Sequence, residues 1–326
     1  LIRPSARVVL AFKVLVTLVL VGVIFYFANW RQFWSMLTTA NPFYVAVVFM
    51  LMVLCVSLSA WKWQCLLRIH GARFDFWRLH RWYFTAMFFN NFLPTSIGGD
   101  GYRIWRTINN DRSRTSAVLA VLVERLSGIL TLLAIGLLGA LIGWFMHANR
   151  LSVYFAACGL VGVVLGLVIL YWLVRLDGLQ KLRDWPRLPA KLKSVIDHLD
   201  DYWQSPAQSI QAVGVISVIF HAVSLFWMGL LLTAMGDSIA LSDLALVAAV
   251  LSIVAVVPIS INGIGVVDGS FIWLTGQYGV SYEAALGAML LQRALLIPIS
   301  LLGAWFYFRD GGNKQGRDWS DSRGYD

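Results

Sequence analysis

The sequence is divided by long apolar runs, and about 20 such residues are enough to cross a bilayer as a helix. Residues 8–29, VVLAFKVLVTLVLVGVIFYFAN, are broken only by Lys13. Comparable runs follow at 43–67, 116–146, 151–174, 207–234 and 281–308. Hydrocarbon offers the backbone no hydrogen-bond partner, so these six runs read as full helical spans that satisfy their own peptide groups. The first is too long for a signal-peptide core and lacks a small-residue cleavage site, so it reads as a retained span. Only 13% of the residues are charged, about half the share of a soluble domain. That leaves no room for a separate aqueous domain, and residues 1–326 are expected to form one transmembrane domain.

Two further apolar stretches are broken. Residues 82–93 stop at Pro94, and 243–257 stop at Pro258 before a second short run at 264–277. Segments this short are re-entrant or interfacial. Orientation follows from the basic residues. Twenty lysines and arginines fall in 1–7, 68–81, 103–114, 175–193 and the tail from Arg309, against Arg31 and Arg150 on the other side. The larger group belongs in the cytoplasm, which puts both termini inside. The loops at 68–81 and 102–115 are then both cytoplasmic, so the chain between them must enter the membrane and return. The stretch FLPTSIGGDG, 92–101, is the tip or return of that hairpin. Pro94 stops a helix, and Gly98 and Gly99 permit close backbone approach. Such backbone survives at membrane depth only where protein buries it or where it lines a wet cavity.

The second break repeats the first. VPISINGIG, 257–265, matches LPTSIGG in Pro94 and Pro258, Ser96 and Ser260, Ile97 and Ile261, and Gly99 and Gly263. An Asp-Gly follows each, Asp100-Gly101 and Asp268-Gly269, and then a long span with a polar pair, Glu124-Arg125 and Gln292-Arg293. The first hairpin enters from inside and the second from outside. The expected architecture is therefore all-α and polytopic, with six full spans and two re-entrant broken-helix hairpins forming an inverted repeat. Its parts are a first span at 8–29, a first repeat at 43–146, a linking span at 151–174, a cytoplasmic loop at 175–206, an inverted second repeat at 207–308 and a polar tail at 309–326. Within the loop, LPAKLKSVIDHLDDYW has apolar residues at helical spacing and suits the cytoplasmic membrane surface. Broken segments in corresponding positions of two inverted halves point to a transporter with its site near the midplane.

Ionisable residues inside spans are costly and mark functional positions. Arg125 and Arg293 carry planar forks that match phosphate oxygens, and one from each repeat can hold a lipid phosphate. The alternative is internal pairing, Arg125 with Asp100 and Arg293 with Asp268, and the two roles can coexist. Glu124 is a poor partner for its neighbour Arg125, because adjacent residues on a helix point in different directions. Asp100 and Asp268 either bind an amine or a sugar, carry a coupling proton or cap the short helix that follows. Glu124 is a proton relay or a hydrogen-bonded structural carboxylate. Arg103, Ser96, Ser260 and Asn262 complete the candidate substrate contacts, with Pro94, Gly98, Gly99, Pro258, Gly263 and Gly265 as the backbone motif.

Lys13 and Lys62 sit near cytoplasmic ends and are expected to snorkel, and His221 reads as a packing residue. The histidines have no ligand spacing, and Cys55, Cys65 and Cys158 lie in apolar runs, so neither a metal nor a cofactor is expected. The chain contains no phosphate-binding glycine loop and no nucleophile elbow. Its net charge of +9 lies beside membrane segments, which favours anionic lipid over nucleic acid as the partner.

FLPTSIGGDGYRIWR and VPISINGIGVVDGSF resemble the signatures of the lysylphosphatidylglycerol synthase transmembrane region, the flippase-like integral membrane family. The likeness spans about residues 10 to 308 and rests on Pro94, Gly98, Gly99, Asp100, Arg103, Gly263, Gly265 and Asp268. Family members commonly carry glutamate where this chain has Asp268, so the carboxylate is kept on a shorter stem. The resemblance implies a stand-alone member without the synthase domain, in which lipid aminoacylation is not expected. It further implies a flippase or scramblase in a bacterial inner membrane, a transporter and not an enzyme. The substrate class is an anionic phospholipid or a polyprenyl-phosphate-linked glycolipid. Competing readings are a non-catalytic partner presenting lipid to a separate transferase, and a membrane-embedded glycosyltransferase. A lipid-modifying enzyme and a second copy of the chain are the protein partners left open.

Overall fold

The computed structural model describes residues 6–92, 98–108, 114–147, 153–159, 161, 207–256 and 259–311, with no strand among them. Ten named helices carry the fold: α1 (Ala6–Phe27), α2 (Trp30–Thr39), α3 (Pro42–Ile69), α4 (Phe76–Phe92), α5 (Gly98–Ile108) and α6 (Arg114–His147), followed by α7 (Ala207–Ala234), α8 (Leu241–Val256), α9 (Val266–Gly276) and α10 (Tyr282–Gly311). A 3-10 turn, Ile261–Gly263, joins α8 to α9. Four of these helices, α3, α6, α7 and α10, are long and apolar enough to cross a membrane. The chain is a polytopic membrane protein. The linking span and cytoplasmic loop expected at 151–206 lie almost wholly outside the described residues, apart from helical 153–159.

Local chemistry sets the helix boundaries. Asn41 caps α3, its Oδ1 accepting from Phe43 N at 2.9 Å, and Pro42 occupies the first turn, where its missing N–H costs nothing. The helix ends at Ile69, and Gly71 two residues on turns the chain with φ +75°. Gln64 Nε2 then donates to the Phe74 carbonyl at 2.8 Å and fixes the turn into α4. Two boundaries differ from the sequence reading. The basic stretch after Gly101, expected as a loop, continues as α5 to Ile108 because it is amphipathic: Tyr102, Arg103 and Thr107 are buried while Trp105 is exposed. The expected loop after the first span contains α2, capped by Asn29 through Gln32 N, with Phe33 buried.

The helices pair in a regular way. Helix α3 packs on α7, α4 on α10, and α6 on α8, while α5 leans on α4 and α6, and α9 on α8 and α10. Small residues permit the closest crossings, as expected where lipid supplies no hydrophobic drive and dispersion must hold helices together. A Cβ on Gly303 of α10 would collide with the Phe84 carbonyl of α4, and Cβ atoms on Gly136 and Gly139 of α6 would collide with Ala249 and Ser242 of α8. The main core joins α3, α7, α8, α9 and α10 around Leu231, Leu232, Leu244 and Phe271. A second gathers Trp63, Leu79, Trp82 and Tyr102 between α3, α4 and α5. Large apolar side chains such as Leu18, Met50, Leu130, Leu138 and Phe226 face outward. That outer surface suits hydrocarbon.

The ends of each broken segment come together. Trp82, in the first half of α4, lies under Arg78 and also under Arg106 in the last turn of α5, with guanidinium-to-ring distances of 4.9 and 5.8 Å. At the second break, Asp237 before α8 accepts from Ser281 N after α9 at 2.8 Å. Glu283 of α10 accepts from Asn29 N at 3.3 Å, so the turn after α1 lies near the start of α10.

Candidate functional site

The site is built around the two glycine motifs. Asn90 Oδ1, at the end of α4, accepts from Gly99 N at 2.8 Å and starts α5. A Cβ on Gly99 would run into the Ala86 carbonyl, so only glycine fits. Asp100 follows in the first turn of α5, where a carboxylate also complements the helix dipole. It accepts from Arg103 Nη2 at 2.6 Å and from Arg125 Nε and Nη2 at 3.1 and 3.0 Å. Arg103 also binds the Glu124 carboxylate through Nη1, and Tyr83 Oη donates to the other Glu124 oxygen at 2.8 Å. The Arg103 guanidinium lies over the Tyr83 and Trp63 rings at 4.6 and 5.2 Å.

Burial explains the density of this network. The Arg103 side chain is 2% exposed and that of Glu124 6%, and a charge so far from water persists only when paired and hydrogen-bonded. Lys62 corrects the snorkelling expectation. It is buried and donates to the Glu124 carbonyl at 3.0 Å and Ser217 Oγ at 3.3 Å, tying α3 to α6 and α7. His221 bonds the Gly128 carbonyl at 2.9 Å, the packing role expected of it.

The second motif is simpler. Arg293 of α10 donates to Asp268 Oδ1 through Nε at 3.1 Å and Nη2 at 2.7 Å, and to Oδ2 at 2.8 Å. Asp268 Oδ2 also accepts from Gly265 N at 2.9 Å, capping α9. The cap and the ion pair coexist. The turn before it needs positive φ at Asn262 (50°), Gly263 (71°) and Gly265 (83°), and Gly265 lies against Leu20 of α1. Arg293 and Asp268 are 25 residues apart, the same separation as Arg125 and Asp100.

The tips of the two breaks meet. Asn262 Nδ2 donates to Asn91 Oδ1 at 3.3 Å, and Asn91 Nδ2 donates to Ser300 Oγ at 2.6 Å. Beside this junction lies a cavity of about 340 Å³ whose walls include Asn91, Arg125, Ser260, Asn262, Asp268, Gln292 and Arg293. Both arginines therefore reach one space from different helices. The Arg125 side chain is about half exposed, and that of Arg293 less so. Ser260 Oγ is buried with no hydrogen-bond partner. A neighbouring cavity of about 250 Å³ shares Arg125, Gln292 and Leu296 and adds Ser59, Tyr83, Asn90, Ser224 and Trp227.

Of the expected site residues, Arg125, Arg293, Asp268, Ser260, Asn262 and Gly263 come together at the cavity, with Asp100 behind Arg125. Arg103 and Glu124, expected among the substrate contacts, are sealed beneath the site and act on it through Asp100 and Tyr83. Pro94, Ser96 and Pro258 lie outside the described residues. Sequence reasoning missed Asn90 and Asn91, although an amide pair closing an apolar run before proline was a readable signal. Gln292 was seen only as the neighbour of Arg293. Tyr83 carried no signal at all. Among the described residues, no group of three His, Cys, Asp or Glu side chains gathers into a metal-binding cluster.

Residues 10–303 match the family model described as the lysylphosphatidylglycerol synthase transmembrane region. No match is found among the curated proteins.

Proposed function

This chain belongs to the lysylphosphatidylglycerol synthase transmembrane region family, and from that premise we propose that it moves a phosphate-containing anionic lipid between membrane leaflets. The observation that carries this reading is the convergence of Arg125 and Arg293 on one cavity. Each is held by the aspartate of its own motif at the same separation in sequence. A guanidinium presents paired N–H donors to a phosphate without losing charge, so two forks facing one space form a clamp for a headgroup. Acyl or prenyl chains remain in the bilayer while the headgroup passes.

An inverted repeat is supported by the pairing of helices. Helix α4 packs on α10 as α8 packs on α6, and α3 packs on α7, the pattern of two halves related by a two-fold axis. Re-entrant hairpins are supported by the approach of Trp82 to Arg106 and of Asp237 to Ser281. Alternation of such halves about a fixed site is the general mode of inverted-repeat transporters. Transport is favoured over catalysis because the three carboxylates of the two motifs, Asp100, Glu124 and Asp268, are each engaged by arginine. The setting we assign is a bacterial inner membrane.

The test is a proteoliposome assay with acyl-labelled phosphatidylglycerol and no second protein. The wild type moves the label between leaflets, and Arg125→Ala with Arg293→Ala abolishes movement while the protein stays monodisperse. Full transport by that double variant refutes the clamp. A chemically altered lipid on chromatography assigns the chain to catalysis instead.

A further inference from the structure

Helix α1 lies along the second broken segment in a fixed register. Thr17 Oγ1 accepts from Ile261 N at 3.0 Å. A Cβ on Gly265 would run into Leu20, and one on Gly269 would meet Ile24 at ordinary contact distance. Positions 17, 20 and 24 thus oppose 261, 265 and 269, so the two segments run side by side in one direction. Tyr282 Oη, at the start of α10, donates to the Ile24 carbonyl at 2.6 Å and holds the end of α1 in place.

Beyond Ile24 the seam opens. A groove of about 510 Å³ lies between α1 and α9, walled by Val23, Ile24, Phe27, Ile272, Trp273 and Val280, with Gly269 and Gly276 in its lining. At Gly303, Gly136 and Gly139 the missing side chain lets another helix close in. At Gly276 a Cβ would meet nothing within 4 Å among the described residues. Dispersion holds helices together in lipid, and a gap with no atoms on one side forfeits those contacts outright. A gap kept open beside hydrocarbon is therefore filled by hydrocarbon. Val23, Phe27 and Trp273 are exposed, so the groove faces the bilayer.

Its dimensions and chemistry fit one lipid chain. Helix α9 has 11 residues and rises about 16 Å, half of a hydrocarbon core ~30 Å thick. The groove is thus one leaflet deep. Its polar lining, Gln277 and Tyr282, lies past the last turn of α9, where an ester region would sit above its chain.

Building on the transport reading above, we propose that this groove docks one acyl chain of the transported phospholipid in the leaflet away from the cytoplasm. The Gln277 amide meets the glycerol esters, since its NH2 can donate to an ester carbonyl. Asp268 lines the headgroup cavity and Gly269, the next residue, lines the groove, so dock and clamp adjoin on one helix. In this structure Thr17 and Leu20 close the seam against the turn at 261–265, and a docked lipid waits beside the cavity.

The experiment uses the full chain in proteoliposomes containing phosphatidylglycerol with a diazirine at the middle of one acyl chain. After illumination, peptide mapping finds adducts on residues 23–27 and Trp273 at least tenfold above those on Leu130, Leu138 and Phe226, which face outward elsewhere. Gly276→Trp fills the groove, removes that excess and slows lipid movement at least tenfold while the protein stays monodisperse. If the tryptophan variant is not recovered folded, Gly276→Leu serves, with at least threefold losses in both readouts. Adducts spread evenly over the outward surface mean bulk bilayer lipid only and overturn the dock. So does a folded Gly276→Trp variant that moves lipid as the wild type does. Arg125→Ala with Arg293→Ala, expected to stop movement and keep the groove adducts, separates clamp from dock. If that variant transports normally the clamp falls, and the adduct excess with its loss in Gly276→Trp still decides the groove.

Discussion

Arg103 and Glu124 form an ion pair sealed inside the helix bundle, with the guanidinium bridging on to Asp100 and the carboxylate accepting from Tyr83. The pair fastens α5 to α6 beneath Arg125, so the position of one cavity arginine depends on a charge that never meets the cavity. This is a positioning role.

Arg103→Met should therefore destabilise the protein by about 3–5 kcal/mol, the usual effect of stranding one member of a buried pair. The double variant Arg103→Met with Glu124→Gln should recover most of that loss, because no uncompensated charge remains. Thermal unfolding in detergent measures both. A single variant as stable as the wild type would show that the pair does not fasten α5.

The re-entrant reading makes a topological prediction. Cysteines at Arg73 and Arg114, both exposed and flanking the first hairpin, should react with a membrane-impermeant maleimide from the cytoplasmic face only. Cysteines at Ser238 and Gln277, exposed around the second hairpin, should react only from the opposite face. Labelling of Arg73→Cys and Arg114→Cys from different sides would turn the first hairpin into a crossing and dissolve the shared cavity.

Gly265 of the second motif and Gly276 at the end of α9 should respond unequally to alanine. Gly265 has φ +83° and lies against Leu20, so Gly265→Ala should cost more than about 1 kcal/mol through backbone strain alone. At Gly276, in the last turn of α9, a Cβ would meet nothing within 4 Å, and alanine should shift stability by no more than about 0.5 kcal/mol. The comparison of their melting temperatures tests whether the turn before α9 is as tightly determined as its dihedrals require.

What the sequence determined by itself was whatever depends on local composition and spacing. Apolar length located α1, α3, α6, α7 and α10 to within a few residues, because a helix in lipid satisfies its own backbone and needs no partner to specify it. Proline and glycine marked both breaks, since the backbone rules they obey are local. The pairing of Arg125 with Asp100 and of Arg293 with Asp268 was legible from the repeated order of residues. Tertiary structure alone decided which charges face the cavity. Nothing local distinguishes Arg103, buried under Tyr83 and Trp63, from Arg125 above it, or Lys62 from a lysine that reaches the interface. The meeting of Asn91 with Asn262 lay equally beyond the sequence, because it joins residues 171 positions apart. Whether a charge is a ligand or a fastener depends on the helices packed against it, and those come from elsewhere in the chain.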